Sequence, residues 1–315
     1  MLTKVEEFSW RTKGFVVLKN IIEPEIVQKS KELLENKYNL ENPPHNDFGS
    51  MKQEFEFPTG KILDKITLHP KIIQTVSKLL KTKEILLTQS DAWSKIGSNN
   101  LSAHSNTDQR IHMDYGNHSF LHASDWNEPE VVTMIVYLSD TTETGGGTAL
   151  VPKKYPNDEV YKMPYTNMPG QNIYTFYNDK KHAEDYFFKN YPNVAKFRKK
   201  LYDREIIINA KAGDILFYRL DLWHRGTPVK KNKIRHVMNL AYKKKSCYWI
   251  NVWNKSYTRQ LYYKYIEKMF CELTPRQREV IGIPKIGDDY WNKKNLNNLK
   301  ARYPNFDIKP YLSKL

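Results

Sequence analysis

The chain is short of cysteine, glycine and long apolar runs, and each shortage excludes something. Two cysteines in 315 residues, Cys247 and Cys271, stand too far apart for a CxxC redox or zinc pair and are too few for a disulfide scaffold. Thirteen glycines and no Gly/Ser tract leave no linker and no internal repeat, so one domain over residues 1–315 is expected. No stretch approaches the roughly 20 apolar residues of a membrane span. The opening Met-Leu-Thr-Lys-Val-Glu-Glu is too acidic for a secretory leader, which predicts a cytoplasmic protein without membrane contact. Acidic residues are the minority, 35 against 50 Lys+Arg, giving a formal charge of +15. Because Lys, Asn, Tyr and Ile are enriched uniformly, that charge says little about partners. With 40% hydrophobic and 13% aromatic residues, the chain can bury a sizeable core.

Residues 8–83 read as helical support. The run Gly14-Phe-Val-Val-Leu18 predicts a short strand, and Pro24 opens a helix with Ile26, Val27, Leu33 and Leu34 at helical spacing. A second helix is predicted over Pro70 to Leu80, with Ile72, Ile73, Val76, Leu79 and Leu80 on its packing face. From residue 84 to 252 short runs rich in Val, Ile, Tyr and Thr alternate with turn signals, the pattern of an antiparallel sandwich or barrel. Strands are predicted at Glu84–Trp93, Val131–Leu138, Thr148–Pro152, Glu205–Asn209, Asp214–Arg219 and Arg235–Tyr242. The tight turn Glu143-Thr-Gly-Gly-Gly147 predicts that the second and third of these form a connected pair. Residues 153–203, with a helix over Pro192 to Leu201, form an insertion that suits a lid or substrate wall. The tail, 253–315, reads as helical from Tyr257 through Glu267 and irregular beyond, with prolines as punctuation.

The sharpest local feature is Arg110-Ile-His112-Met-Asp114. On an extended segment residues i and i+2 point the same way, so His112 and Asp114 present an imidazole and a carboxylate together. Such a pair is weak alone, since a hydrogen-bonded turn explains it equally well. A third ligand comes from His224, which follows the apolar run after Asp214 and sits beside Trp223. Two histidines and one carboxylate with open positions make the facial triad of non-haem Fe(II) oxygenases. Eleven residues on stands Arg235. In its strand Ile234, Met238, Leu240 and Tyr242 share an apolar face, while Arg235, Val237 and Asn239 share the other, so Arg235 points into the barrel. A guanidinium held there calls for an anion, and its fork matches a carboxylate. The distal carboxylate of 2-oxoglutarate is such an anion.

With these residues in place the chain resembles the phytanoyl-CoA dioxygenase (PhyH)-like family of Fe(II)/2-oxoglutarate-dependent oxygenases. The resemblance rests on Gly14-Phe-Val-Val-Leu18, His112-x-Asp114, the strand and turn from Val131 to Pro152, and Gly213-Asp214 leading to His224 and Arg235. It implies a mainly β fold with flanking helices, a double-stranded β-helix or jelly roll of the cupin type. It implies Fe(II) bound by His112, Asp114 and His224, and 2-oxoglutarate bound through Arg235. The expected function is hydroxylation of a small-molecule substrate by O₂ with release of succinate and CO₂. Where some relatives carry a hydroxyl two residues after the distal histidine this chain has Gly226, which leaves Thr227 as the candidate replacement. The Trp common in the strand after the HxD pair is absent from Val131 to Leu138.

Other residues carry two readings. Gln89 shares a face with Trp93 and reaches toward the metal-bound end of 2-oxoglutarate, or is a satisfied amide in the barrel wall. Thr133 and Tyr137 have the same ambiguity. His104, His118 and His122 surround the HxD pair as loop residues or substrate contacts, and His236 faces away from Arg235. Lys230 to Lys245 holds seven basic residues and no acidic one, with Trp249 and Trp253 nearby, so a nucleic-acid groove is conceivable. A charge run beside a loop is ordinarily a solvated face, which makes nucleic acid the lesser alternative. The rival functions are an oxygenase acting on nucleic acid or protein and a non-catalytic jelly-roll binding module.

Overall fold

The structure, a computed structural model, describes residues 2–42, 55–57, 59, 61–97, 106, 108–114, 121, 128–155, 157–161, 179–250, 271–275, 278 and 283–315. It mixes helices with two antiparallel sheets. Strands β1 (Phe15–Leu18), β2 (Ile85–Ile96), β3 (Val131–Tyr137), β6 (Ile215–Arg219) and β8 (Ile234–Lys244) form a five-stranded sheet in the order β1-β6-β3-β8-β2. Strands β4 (Thr148–Leu150), β5 (Ile206–Ile207) and β7 (His224–Gly226) form a smaller one, ordered β5-β4-β7. Residues Tyr257 to Glu267, read as helix from sequence, lie outside the described residues.

The N-terminal helices form because the sequence caps them and gives each one apolar face. Helix Lys4–Lys13 was not foreseen. Thr3 accepts from the Glu6 N–H while Glu6 returns a bond to Thr3, a reciprocal box that satisfies two otherwise orphaned donors. Gly14, at φ 89°, ends it and turns the chain into β1. Helices Pro24–Lys37 and Pro70–Leu79 each begin on proline, whose missing N–H costs nothing there. Trp10, Val27, Leu34, Ile72, Val76 and Leu79 from these helices pack on Val132, Met134, Val136, Phe217, Met238 and Leu240 of the large sheet. The strand face predicted to be apolar in β8 is the one the helices cover. Among the described residues no helix is long and apolar enough to cross a membrane.

The opposite face of the large sheet meets the small one. Trp93, Ile135, Tyr137, Leu216, Tyr218 and Val237 cluster there with Leu150 of β4 and with Leu222. The expected β3–β4 pair does not form, because β3 belongs to one sheet and β4 to the other. Between them a four-residue helix, Thr141–Thr144, capped by the Asp140 side chain, is followed by Gly145 and Gly146, both at φ 71°. Two consecutive left-handed residues throw the chain across the gap, a conformation side chains resist. The Gly-Gly-Gly signal therefore marks a crossover, not a hairpin.

A third apolar cluster backs the short segments that carry the histidines. Ile111, Met113 and Trp223 pack with Phe187 and Leu201 of helices Lys180–Asn190 and Pro192–Tyr202, and with Trp291, Leu296 and Phe306 of the C-terminal region. The tail beyond residue 284 is thus more ordered than its prolines suggested, with helices Lys293–Arg302 and Lys309–Leu312. Pro310 sits inside the first turn of the last helix, where it is tolerated.

Candidate metal centre

Residue alternation builds the centre. Ile111 and Met113 turn outward into the third cluster, so His112 and Asp114 between and beyond them turn inward. Trp223 does the same for His224. The two histidines face each other in an antiparallel bridge, each backbone N–H donating to the other's carbonyl at 2.8 Å. Their rings lie 4.6 Å apart between centroids. Asp114 closes the group: its Oδ1 is 3.7 Å from His112 Nε2 and its Oδ2 is 3.3 Å from His224 Nε2. One ligand atom from each of the three lies within 4.8 Å of the others. Residues 112 apart in sequence are brought together by one backbone bridge.

The ring orientation suits coordination. His112 Nδ1 is 2.9 Å from the Arg110 carbonyl and His224 Nδ1 is 2.9 Å from the Leu222 carbonyl. A carbonyl can only accept, so each Nδ1 carries the proton and each Nε2 keeps its lone pair for a metal. Burial, with His224 and Arg110 close by, pushes His112 down to about 3, so its imidazole stays neutral. His224 is buried too, but the Asp114 carboxylate outweighs that cost and raises it. The carboxylate favours one imidazole over the other because it stands closer to it.

Tyr218, on β6, donates its phenol hydrogen to Asp114 Oδ2 at 2.9 Å, and its ring lies 5.0 Å from that of His224. Burial and the neighbouring carboxylate hold the phenol protonated. The sequence reading missed this residue, although counting by twos from Asp214 places Leu216 and Tyr218 on the inward face.

Arg235 points inward as expected and is 2% exposed. Its Nη1 donates to the Gly146 carbonyl, its guanidinium stacks 4.9 Å from the Trp93 ring, and its Nε has no hydrogen-bond partner. Burial pulls it down to about 10. Gly146 makes room for it, since a Cβ there would lie 3.2 Å from Arg235 Cδ and 2.7 Å from Val229 Cγ2. Directly across the sheet from Arg235 is Lys95. It too is buried, its Nζ donating to the Thr227 carbonyl at 3.0 Å, and burial beside Arg235 lowers it to about 7. Sequence reading ended β2 at Trp93 and so did not reach Lys95, one alternation further on.

The remaining candidates separate. Gln89 donates to Asp91 Oδ1 at 2.9 Å within its own strand, just past a bulge. The Thr227 hydroxyl donates to the Gly147 carbonyl at 2.7 Å, so its one proton ties β7 to the start of β4 and is not offered to a co-substrate. The inward space beside Gly226 is filled by the Gln109 side chain, whose Oε1 accepts from the Gly226 N–H at 2.7 Å. Thr133 and Tyr137 are satisfied in the wall, bonding the Tyr218 carbonyl and Thr148 Oγ1, each at 2.8 Å. His236 lies 2.7 Å from Ser94 Oγ through Nδ1, one alternation out of step with Arg235. His104, His118, His122 and Trp253 lie outside the described residues.

The structure thus combines helices, two antiparallel sheets, a His-Asp-His group that could hold a metal ion, and a buried cation, Arg235, on the inward face of β8. The chain belongs to the phytanoyl-CoA dioxygenase (PhyH) family, whose profile matches residues 10–237. No curated protein sequence matches it at the significance threshold. Among solved structures it is similar to the epimerase SnoN in complex with Fe³⁺, α-ketoglutarate and nogalamycin RO, at 13% identity over 81% of this chain and 88% of that one, with a TM-score of 0.55. It is also similar to the non-haem α-ketoglutarate-dependent carbocyclase SnoK of nogalamycin biosynthesis, at 14% identity over 79% and 87%, TM-score 0.53. AviO1 from Streptomyces viridochromogenes Tue57 aligns at 14% identity over 80% and 99%, TM-score 0.51. At these identities the likeness is one of fold.

Proposed function

We propose that this chain is an Fe(II)/2-oxoglutarate-dependent oxygenase that hydroxylates a small-molecule substrate. The observation that carries this is Arg235, a buried guanidinium with an unpartnered Nε and no carboxylate facing it among the described residues. A group of that kind is expensive to bury without an anion, and a bidentate carboxylate is its natural complement. The two antiparallel sheets are read as the jelly roll of the family, in a single domain over 1–315.

The donor set fits the metal: two imidazoles, each with Nδ1 tied to a carbonyl, and a carboxylate suit Fe(II) and leave positions open. When bound, iron with 2-oxoglutarate supplies O₂ activation coupled to release of succinate and CO₂. His112, Asp114 and His224 hold the metal, and the Arg110 and Leu222 carbonyls orient the two rings. Arg235 fixes the distal carboxylate of 2-oxoglutarate, aided by the stacked Trp93, while the apolar cluster around Ile135, Leu216 and Val237 excludes water. Asp114 would supply a carboxylate where a halogenase would hold its halide, which favours hydroxylation over halogenation. Relatives of similar fold bear the names epimerase and carbocyclase, and product analysis separates these outcomes from hydroxylation. Fe(II)-dependent turnover of 2-oxoglutarate to succinate by the purified protein tests the reading. Failure to bind 2-oxoglutarate in the presence of Fe(II) would sink it.

A further inference from the structure

The carboxylate ligand is gripped by a side chain distant in sequence. Both histidines are tethered to carbonyls two residues upstream, but Asp114 is met by the phenol of Tyr218 on β6 of the large sheet. The phenol is fixed by the fold. Tyr218 sits on β6 between β1 and β3, its carbonyl accepts from Thr133 Oγ1 at 2.8 Å, and its ring packs against His224. Asp114 therefore cannot turn without breaking a bond whose other end is immobile.

A carboxylate has two oxygens and can ligate through one or both. Here Oδ2 accepts the phenol hydrogen at 2.9 Å, which ties the orientation of the carboxylate to β6. We propose that Tyr218 is a positioning residue that fixes the Asp114 carboxylate beside the two histidines and so preforms the donor set for the metal. This rests on the metal reading above. Loss of the phenol hydrogen lets the carboxylate swing, which weakens the preformed site. Partners that orient metal ligands in this way are typically worth about 10- to 100-fold in metal affinity or activity.

Tyr218→Phe tests the point, because it keeps the ring against His224 and removes only the O–H. Fe(II) is titrated anaerobically into the metal-free protein, and 2-oxoglutarate is then added while the visible charge-transfer band of the chelate is followed. The expected result is Fe(II) binding about 10- to 100-fold weaker, with a displaced band maximum. A residue that merely packs would change the melting temperature and leave the band where it is. Wild-type Fe(II) affinity with an unmoved band in Tyr218→Phe overturns the proposal, provided Asp114→Ala loses the metal. If Asp114→Ala and His224→Ala also bind Fe(II) like the wild type, it is the metal reading that has failed.

Discussion

The two faces of the large sheet are made by the same strands and differ in what they bury. On the face under the helices, Val132, Met134, Val136, Phe217, Met238 and Leu240 are buried and apolar. One residue out of step, the same strands carry Thr133, Tyr218, Arg235 and Asn239, with Gln89, Asp91 and Lys95 opposite on β2. The first face stabilises the fold by removing hydrocarbon from water. The second buries cations and hydroxyls among apolar side chains such as Trp93, Ile135, Leu216 and Val237. A one-residue shift in register would exchange the two faces, so stability and chemistry are separable by parity along the chain.

The strongest way to break this comparison is through the metal. His224→Ala removes one of three ligands from the inner side, and Fe(II) content and succinate formation should both fall to background. Metal analysis beside circular dichroism checks it: full iron content in a folded His224→Ala protein contradicts the assignment. On the outer side Phe217→Ala should cost about 3–5 kcal/mol of folding stability. Its affinity for Fe(II) and 2-oxoglutarate, measured on the folded fraction, should match the wild type. A selective loss of ligand affinity there would show that the two faces are coupled.

Arg235 sharpens the contrast. Arg235→Ala removes a charge-assisted contact worth on the order of 2–4 kcal/mol, so 2-oxoglutarate should bind roughly 30- to 1000-fold more weakly while iron stays. Arg235→Lys should recover part of the loss, since an ammonium lacks the fork. Arg235→Met, which replaces a buried charge by a side chain of similar length, should leave the melting temperature of the ligand-free protein unchanged or higher. A lower melting temperature would mean that Arg235 serves the fold.

How much of this was legible follows from which contacts are local. The triad was readable because i, i+2 alternation is a local property of extended chain, and the parity of β8 placed Arg235 inward for the same reason. What could not be read was pairing. Lys95 against Arg235 depends on the β2–β8 register, which a bulge between Leu87 and Gln89 shifts. Tyr218 against Asp114 spans 104 residues. The Gly145-Gly146 crossover carries the same residues as a hairpin turn, and what separates the two is the sheet that receives the next strand. Thr227 was chosen for its hydroxyl, but its proton goes to Gly147, and the inward position beside it holds the side chain of Gln109.

Lys95 yields the smallest effect and the finest test of the inner face. Buried beside Arg235 and Arg225, with Asp108 favouring its charge and the Thr227 carbonyl accepting its proton, it is lowered to about 7. An unfolded lysine titrates near 10.5. Between these values the unfolded chain holds a proton that the folded one has lost, so this group's contribution to stability rises with pH from about 7 to about 10.5. An anion arriving at Arg235 changes the balance by favouring the protonated amine directly across the sheet. If binding raises Lys95 by one unit, the affinity for 2-oxoglutarate falls about ten-fold as pH climbs from about 7 to about 8. Titrations at saturating metal between pH 6.5 and 9 should show this decline in the wild type, and Lys95→Met should flatten it. The same slope in both proteins would place the 2-oxoglutarate carboxylate out of reach of Lys95, leaving Arg235 as the inner cation that meets it.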